Sequence, residues 1–139
     1  EAGRPILIAP RKAPERIGET VVISWNRSTE TARTVGFAMP VLQKAKRIVV
    51  LTVTGALSPG PSAESLAKAL QRHGMTVDVV NVESGSRPPG RMILDQCATL
   101  GADLLVKGGY TQSRLRQMIF GGATADILSY AEIPVFMAH

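Results

Sequence analysis

Few residues of this sequence belong to the types that build zinc sites. There is one cysteine, Cys97, and there are two histidines, His73 and His139. Neither histidine lies in a Cys/His cluster, so the sequence argues against a zinc site. Cys97 falls in an apolar pattern of helical spacing, which favours a buried packing role over a nucleophile or a metal ligand.

Aromatic residues are also scarce, at 4% of the chain. The 16 lysines and arginines exceed the 11 acidic residues and give a formal net charge of +5. These charges are spread along the chain, without a basic block or the interleaved aromatics that stack on bases. We therefore interpret the basic side chains as solvated surface residues and do not expect a nucleic-acid partner.

Long apolar runs are missing too, since none approaches the roughly 20 residues that cross a bilayer. The first residues do not have a signal-peptide layout. With 45% apolar residues in a chain of 139, the composition predicts one soluble domain with a sizeable core. We expect a cytoplasmic protein without a membrane partner.

From Glu19 onward the sequence alternates between strand-like and helix-like segments. Five apolar or β-branched runs predict strands, at Thr20–Trp25, Arg47–Thr54, Met75–Val82, Ala102–Lys107 and Ile133–Ala138. Helical spacing predicts four helices between them. Such alternation predicts an α/β fold with an open, doubly wound parallel sheet that carries helices on both faces.

Capping residues mark where the predicted helices begin and end. Ser28 precedes the first helix, over Thr29–Leu42, and Ser62 precedes the second. Gly74 and Gly101 follow the second and third helices as stop signals. Gly36 and Pro40 weaken the pattern of the first helix and favour an early end to it.

Two glycine pairs interrupt the stretch Leu104–Ser129. Gly108-Gly109 ends the fourth predicted strand, and Gly121-Gly122 precedes the fourth predicted helix. Free backbone N–H groups and the positive end of a helix, placed near a strand's carboxyl end, form a common anion site. The alternative is a tight packing corner, where only glycine allows the close approach.

The same stretch resembles the carboxyl-terminal signature of the universal stress protein family, which reads Gly, two residues, Gly, nine residues, Gly, then Ser or Thr. Gly108 and Gly121 occupy the first and third glycine positions. Thr111 replaces the second glycine, and Gly122 replaces the closing hydroxyl residue. The segments GADLLV and IPVFMAH also fit the family, so the resemblance covers the chain from about Glu19 onward.

The resemblance implies a Rossmann-like sheet of five strands in the order 3-2-1-4-5, similar to that of the adenine nucleotide alpha hydrolases. The order then reverses between the first and fourth strands, where ligands of open α/β sheets bind. The predicted ligand is ATP or another adenine nucleotide, with Mg²⁺. The site residues that follow are Ser24, Trp25, Asn26, Val53, Gly108, Thr111, Ser113, Arg114, Gly121 and Gly122.

Asn26 stands where relatives that bind ATP carry an aspartate. Its amide can hydrogen-bond a ribose or an adenine, or it can close an Asx turn into the first helix. Val53 would line the adenine side by resemblance and is equally well explained as core.

The other predicted contacts lie after the fourth strand. Thr111 and Ser113 offer hydroxyls, and Gly121-Gly122 offers backbone N–H groups to a phosphate. Arg114 could hold a phosphate with two hydrogen bonds or remain solvated.

The sequence assembles no catalytic set, because it has no P-loop, no nucleophile elbow and no HExxH motif. Asp126, the nearest acid after the glycine pairs, is explained as a charge near a helix start. We therefore expect no enzyme beyond a slow ATPase. Three functions stay open: a stress-response module that binds adenine nucleotide through a degenerate motif, a domain without nucleotide that acts in dimerisation or protein interaction, and a small-molecule enzyme.

The opening residues predict a strand of their own, because RPILIAP parallels EIPVFMAH as an apolar run entered through proline. We divide the chain into residues 1–18, a strand and linker left from a preceding domain, and residues 19–139, the second domain of a tandem member of the family. The resemblance also implies pairing between domains, because two domains of this family commonly pair through their last strands. We therefore expect Pro5–Ala9 to pair with Ile133–Ala138 of its own chain or of a partner, in a homodimer or a tandem pair.

Overall fold

Strands and helices alternate along the chain, as the sequence pattern predicts. The computed structural model describes residues 3–55, 57–109 and 123–139. The strands are β1 (Ile6–Ile8), β2 (Thr20–Ser24), β3 (Arg47–Thr54), β4 (Val77–Glu83), β5 (Leu104–Gly108) and β6 (Val135–Ala138). The helices are α1 (Thr29–Leu42), α2 (Ala63–Arg72), α3 (Pro89–Leu100) and α4 (Ala123–Tyr130).

The strands form one sheet in the order β1-β6-β5-β2-β3-β4. Strands β2 to β6 are parallel, and counted from Thr20 they follow the order 3-2-1-4-5. The sheet is nevertheless six-stranded rather than five-stranded, because β1 adds an antiparallel edge next to β6. Ile6 lies opposite Met137 and Ile8 opposite Val135, which confirms the expected pairing of the opening segment within one chain.

Each face of the sheet carries its own core. Val21 and Ile23 pack with residues of α1 and α2 on one face. Val22, between them, packs with residues of α3 and α4 on the other, because successive side chains of a strand alternate. Cys97 is buried in this second core, and burial raises the pKa of its thiol to about 12. The prediction that Cys97 is a packing residue is confirmed.

The ends of α2 and α3 explain why β4 and β5 begin later than the sequence predicts. Strand β4 begins at Val77 instead of Met75, because the Met75 N–H bonds to the Leu70 carbonyl and closes α2. In the same way, the Ala102 N–H bonds to the Cys97 carbonyl and closes α3. Strand β5 consequently begins two residues later than predicted.

Helix α1 does not end early at Pro40. It continues to Leu42, whose side chain is completely buried against the sheet. Pro40 has no N–H group, so the Gly36 carbonyl, four residues earlier, lacks its helical hydrogen bond. Both residues are exposed, so water can bond to this carbonyl instead.

Asp103 joins the end of the linker to the start of β5. Its carboxylate accepts hydrogen bonds from the backbone N–H groups of Gly18, Glu19 and Thr20, at 2.9, 3.1 and 3.2 Å. A carboxylate with three backbone donors holds the entry of β2 beside β5.

We expect Asp103→Ala to lower the free energy of unfolding by about 2–3 kcal/mol, because it leaves three partly buried donors without their acceptor. Urea denaturation would measure the loss. Asp78→Ala is the matched control, since it removes the same charge from a side chain that is 55% exposed and pairs with Arg47. The control should change stability by less than about 1 kcal/mol, and equal losses in the two variants would contradict this role of Asp103.

Candidate functional site

The strand order reverses between β2 and β5, and their carboxyl ends lie side by side. Ser24, the last residue of β2, is the register partner of Lys107. Helix α1 leaves β2 across one face of the sheet, and α3 and α4 cover the opposite face. This edge is where open α/β sheets bind ligands.

The chain leaves β2 through a tight turn built by Asn26. The Asn26 side-chain oxygen accepts hydrogen bonds from the Ser28 backbone N–H at 3.0 Å and from the Thr31 hydroxyl at 2.7 Å. Ser28 in turn caps α1 by accepting from the Thr31 N–H at 3.2 Å. The Asx turn, one of the two alternatives for Asn26, is thus present. It occupies the amide oxygen and leaves the Asn26 amide nitrogen without a partner among the described residues.

Trp25 is a core residue at this edge. Its side chain is 4% exposed, and its indole N–H donates to the Pro61 carbonyl at 2.9 Å. The loop after β3 crosses the turn: the Ser58 N–H bonds to the Asn26 carbonyl at 2.9 Å, and a Cβ on Gly60 would overlap the carbonyl oxygen of Arg27. The loop therefore packs directly over the end of β2.

Arg27 is a residue of this turn that sequence reasoning missed. It has a φ of 67°, in the left-handed region that residues with a Cβ rarely adopt. Its Nε is buried and has no hydrogen-bond partner in the described ranges. Neither property has a signature in the sequence.

Val53 and its neighbour Thr52 lie near the end of β3, before this loop. Val53 is 5% exposed and belongs to the core under α3 and α4. The Thr52 hydroxyl bonds to Asn81, whose amide donates to Glu64 of α2 at 3.2 Å. The backbone N–H of Glu64 and then this amide lower the pKa of the Glu64 carboxyl. Contact of Val53 with an adenine stays a prediction.

Gly108 lies at a tight packing corner. A Cβ on Gly108 would lie 2.6 Å from the Thr31 hydroxyl oxygen and 2.8 Å from the Thr31 backbone nitrogen. The first turn of α1 therefore rests directly on the end of β5. The next residue, Gly109, donates its N–H to the Ala138 carbonyl at 2.6 Å.

Lys107 is the second residue that sequence reasoning missed as a site candidate. It is 7% exposed, and its Nζ donates to the Gly108 carbonyl at 3.2 Å. Burial lowers the pKa of its ammonium to about 8. A signal was available, because a charged residue in a strand with neighbours on both sides is expected to be buried.

The other five predicted contacts belong to the segment that follows β5 in the sequence. Thr111, Ser113, Arg114, Gly121 and Gly122 lie outside the described residues. Of the predicted site, the structure brings together Ser24, Asn26 and Gly108 at the edge and keeps Trp25 and Val53 in the cores.

Two cavities lie away from this edge. One of about 730 Å³ lies between residues 8–12 and the end of α4, beside the amino end of β6. The other, of about 450 Å³, lies between α3 and residues 130–133. Within the described ranges, no group of three His, Cys, Asp or Glu residues could hold a metal ion, and no helix is long and apolar enough to cross a membrane.

Comparison with known proteins gives one family and several similar folds. The sequence profile of the Universal stress protein family matches residues 20–139. Comparison with the sequences of curated proteins yields no match. A universal stress protein from Archaeoglobus fulgidus DSM 4304 has a similar structure, with a TM-score of 0.79 and 17% identity over 99% of this chain. This chain spans half the length of that protein.

Two shorter structures are similar as well. A universal stress protein in complex with cAMP has a TM-score of 0.66 and 22% identity, over 87% of this chain and 96% of its own. Another universal stress protein from Archaeoglobus fulgidus has a TM-score of 0.61 and 21% identity, over 86% of this chain and 97% of its own. At these identities the likeness concerns the fold.

Proposed function

Because the chain belongs to the universal stress protein family, we propose that it is a stress-response regulatory domain that binds an adenine nucleotide at the carboxyl edge of β2 and β5. The observation that carries this proposal is the pairing of two nearly buried polar side chains, Ser24 and Lys107, where the strand order reverses. Among the described residues, the Ser24 hydroxyl has no hydrogen-bond partner. Buried polar groups normally have partners, and a ligand would supply them here.

Adenine nucleotides are the proposed class because a protein of similar fold was solved in complex with cAMP. The unpartnered amide nitrogen of Asn26 supports this choice, since it can donate to a ribose oxygen or a ring nitrogen. Its amide oxygen is already occupied by the turn. We therefore propose that Asn26 acts as a donor in this site.

We propose a role in binding rather than in catalysis. The sequence has no P-loop and no other recognised catalytic motif. Phosphoryl transfer would need Mg²⁺ and a group that positions water. Turnover of ATP should therefore be slow or undetectable.

Calorimetric titration with ATP, ADP, AMP and cAMP, each with and without Mg²⁺, tests the proposal. Fluorescence gives a second readout, because Trp25 is the one tryptophan of the chain and lies at this edge. Ser24→Ala should weaken binding about 5–10-fold, the effect of one lost hydrogen bond.

Ser129→Ala is the matched control for this variant. Ser129 is exposed near the end of α4, away from the carboxyl edge. The Ser129→Ala variant should bind nucleotide with the same affinity as the parent chain. Absence of binding for all four nucleotides at millimolar concentration, or equal weakening by both substitutions, would contradict the proposed site.

A second candidate function, dimerisation or protein interaction, is favoured by the edge strand β1. Ile6 and Leu7 are 52% and 56% exposed, and β1 has β6 on one side and none of the described strands on the other. An exposed apolar edge is a surface on which another chain can pair. We propose that β1 can carry such a contact in a homodimer or a tandem pair.

Deleting residues 1–10 should lower the melting temperature, because it uncovers the edge of β6 and removes the contacts of Ile8 with the core. Thermal unfolding and sedimentation measure the two effects. Leu7→Lys keeps the strand but places a charge on the exposed edge, so it should dissociate a dimer formed through β1 while melting at a higher temperature than the deletion variant. A parent chain that is monomeric at high concentration would contradict this second candidate.

A further inference from the structure

Lys107 is a cation held inside the sheet. All five residues of β5 are buried, and Lys107 is 7% exposed, between β2 and β6. Its ammonium has three hydrogen-bond donors, and one is used, from Nζ to the Gly108 carbonyl at 3.2 Å. Within the described chain, the other two donors have no acceptor.

The described strands and helices around this ammonium offer it no counterion. Strands β2 and β6 have no charged residue. The charged or titratable groups on the other elements around β5 are Glu30 and Arg33 of α1, Arg91, Asp95 and Cys97 of α3, Asp126 and Tyr130 of α4, and His139 after β6. No hydrogen bond or ion pair joins Lys107 to any of these groups on the helices. Residues 110–122, which follow β5 in the sequence, contain no aspartate or glutamate.

Packing alone does not account for a lysine at this position. A buried ammonium without a counterion is costly, and methionine would fill a similar volume without that cost. An anion from solution would supply both the missing charge and the missing acceptors. The Ser24 hydroxyl, opposite Lys107 in the register, adds a third donor to such an anion.

We propose that the Lys107 ammonium, together with the Ser24 hydroxyl, anchors the phosphate of the bound ligand and selects anionic nucleotides over the uncharged nucleoside. The adenine part of this inference rests on the proposed function. The anion part does not, because a compact ammonium binds phosphate and sulfate oxygens as a point charge.

A pH dependence of binding follows from the charge on Lys107. Its pKa of about 8 means that roughly 90% of the lysine is protonated at pH 7 and roughly 10% at pH 9. An anion binds the protonated form, so affinity should fall about tenfold between these pH values, with proton uptake on binding at pH 9. Uncharged adenosine should bind equally at both.

The experiment uses three probes whose charge is constant over this range: cAMP, adenosine and inorganic sulfate. Each is titrated calorimetrically at pH 7 and pH 9 into the parent chain, Lys107→Met and Lys68→Met. Lys68 is exposed on α2, so its substitution removes the same net charge at a distance from the edge. We expect Lys107→Met to bind cAMP at least tenfold more weakly than the parent at pH 7 and to lose the pH dependence, whereas Lys68→Met keeps both.

The outcomes separate this inference from the proposed function. Parent affinity for cAMP that is the same at pH 7 and pH 9, or a folded Lys107→Met that binds cAMP like the parent, overturns the phosphate anchor alone. Sulfate binding that depends on Lys107, without binding of cAMP or adenosine, supports the anchor and overturns the nucleotide site. Absence of binding for all three probes overturns both. If Lys107→Met does not fold, the pH dependence of the parent decides.

Discussion

Gly108→Ala is expected to lower the free energy of unfolding by on the order of 2–4 kcal/mol. The added Cβ would lie within 3.0 Å of three atoms of Thr31, two of which belong to the backbone. A side-chain rotation cannot relieve that overlap, so the first turn of α1 must move away from β5. That turn is fixed at both ends, because Ser28 caps it and the Thr34 hydroxyl bonds to the Ala138 carbonyl at 3.1 Å.

Gly36→Ala is the matched control for this prediction. Gly36 lies in the exposed middle of α1, and a Cβ there would meet no atom within 4 Å. The same substitution should therefore stabilise the protein, by up to about 1 kcal/mol, through helix propensity. Urea denaturation of both variants measures the contrast. A Gly108→Ala protein as stable as the parent would mean that the contact between α1 and β5 is loose.

Lys107→Met is expected to stabilise the unliganded protein by on the order of 3 kcal/mol at pH 7. The lysine is 7% exposed, and burial lowers its pKa from 10.5 to about 8. Each pKa unit corresponds to about 1.4 kcal/mol of preference for the neutral form. The folded parent is therefore penalised wherever the lysine is charged, and methionine removes the penalty.

The sign of the pH dependence follows from the two pKa values. Between pH 8 and pH 10.5 the unfolded chain binds a proton that the folded chain lacks, so the parent becomes more stable as pH rises through this window. The advantage of Lys107→Met should be largest below pH 8 and should shrink towards pH 10.5. Thermal unfolding from pH 7 to pH 10 measures it, with Lys68→Met as the exposed control. A gain that is absent at pH 7, or constant with pH, would speak against a buried ammonium.

Together the two substitutions separate two roles at one edge of the sheet. Gly108 is explained by packing, since the space of its missing side chain is filled by Thr31. Lys107, one residue earlier at the same edge, is a buried cation that we expect to reduce stability. Residues that reduce stability without a packing reason are candidates for function.

Local signals in the sequence were enough to predict much of the fold. The start of α1 and both bounds of β3 agree with the prediction, because a serine cap precedes the helix and a continuous apolar run forms the strand. The starts of β4 and β5 were predicted too early. Met75 and Ala102 have strand-like neighbours, but their N–H groups complete the preceding helices, a contact that composition does not reveal.

The site was less predictable because its geometry depends on distant residues. Asp103 holds three N–H groups more than eighty positions away in the sequence, which no local pattern encodes. For Gly108 and Asn26 the sequence allowed two interpretations each, and the choice between them depends on where Thr31 of α1 comes to lie. The burial of Lys107 likewise requires strands on both of its sides.

The antiparallel edge formed by β1 also sets an order of events during synthesis. Ile6 pairs with Met137, and β6 follows every other described strand along the chain. The segment of residues 3–10 that carries β1, here called the arm, therefore leaves the ribosome long before β6 does, and loop closure over such a separation is slow. The parallel strands β2 to β5 can associate first, while the apolar arm remains undocked. In a nascent chain we therefore expect the arm to stay accessible to chaperones until β6 has emerged, and its docking to add the last strand to the described sheet.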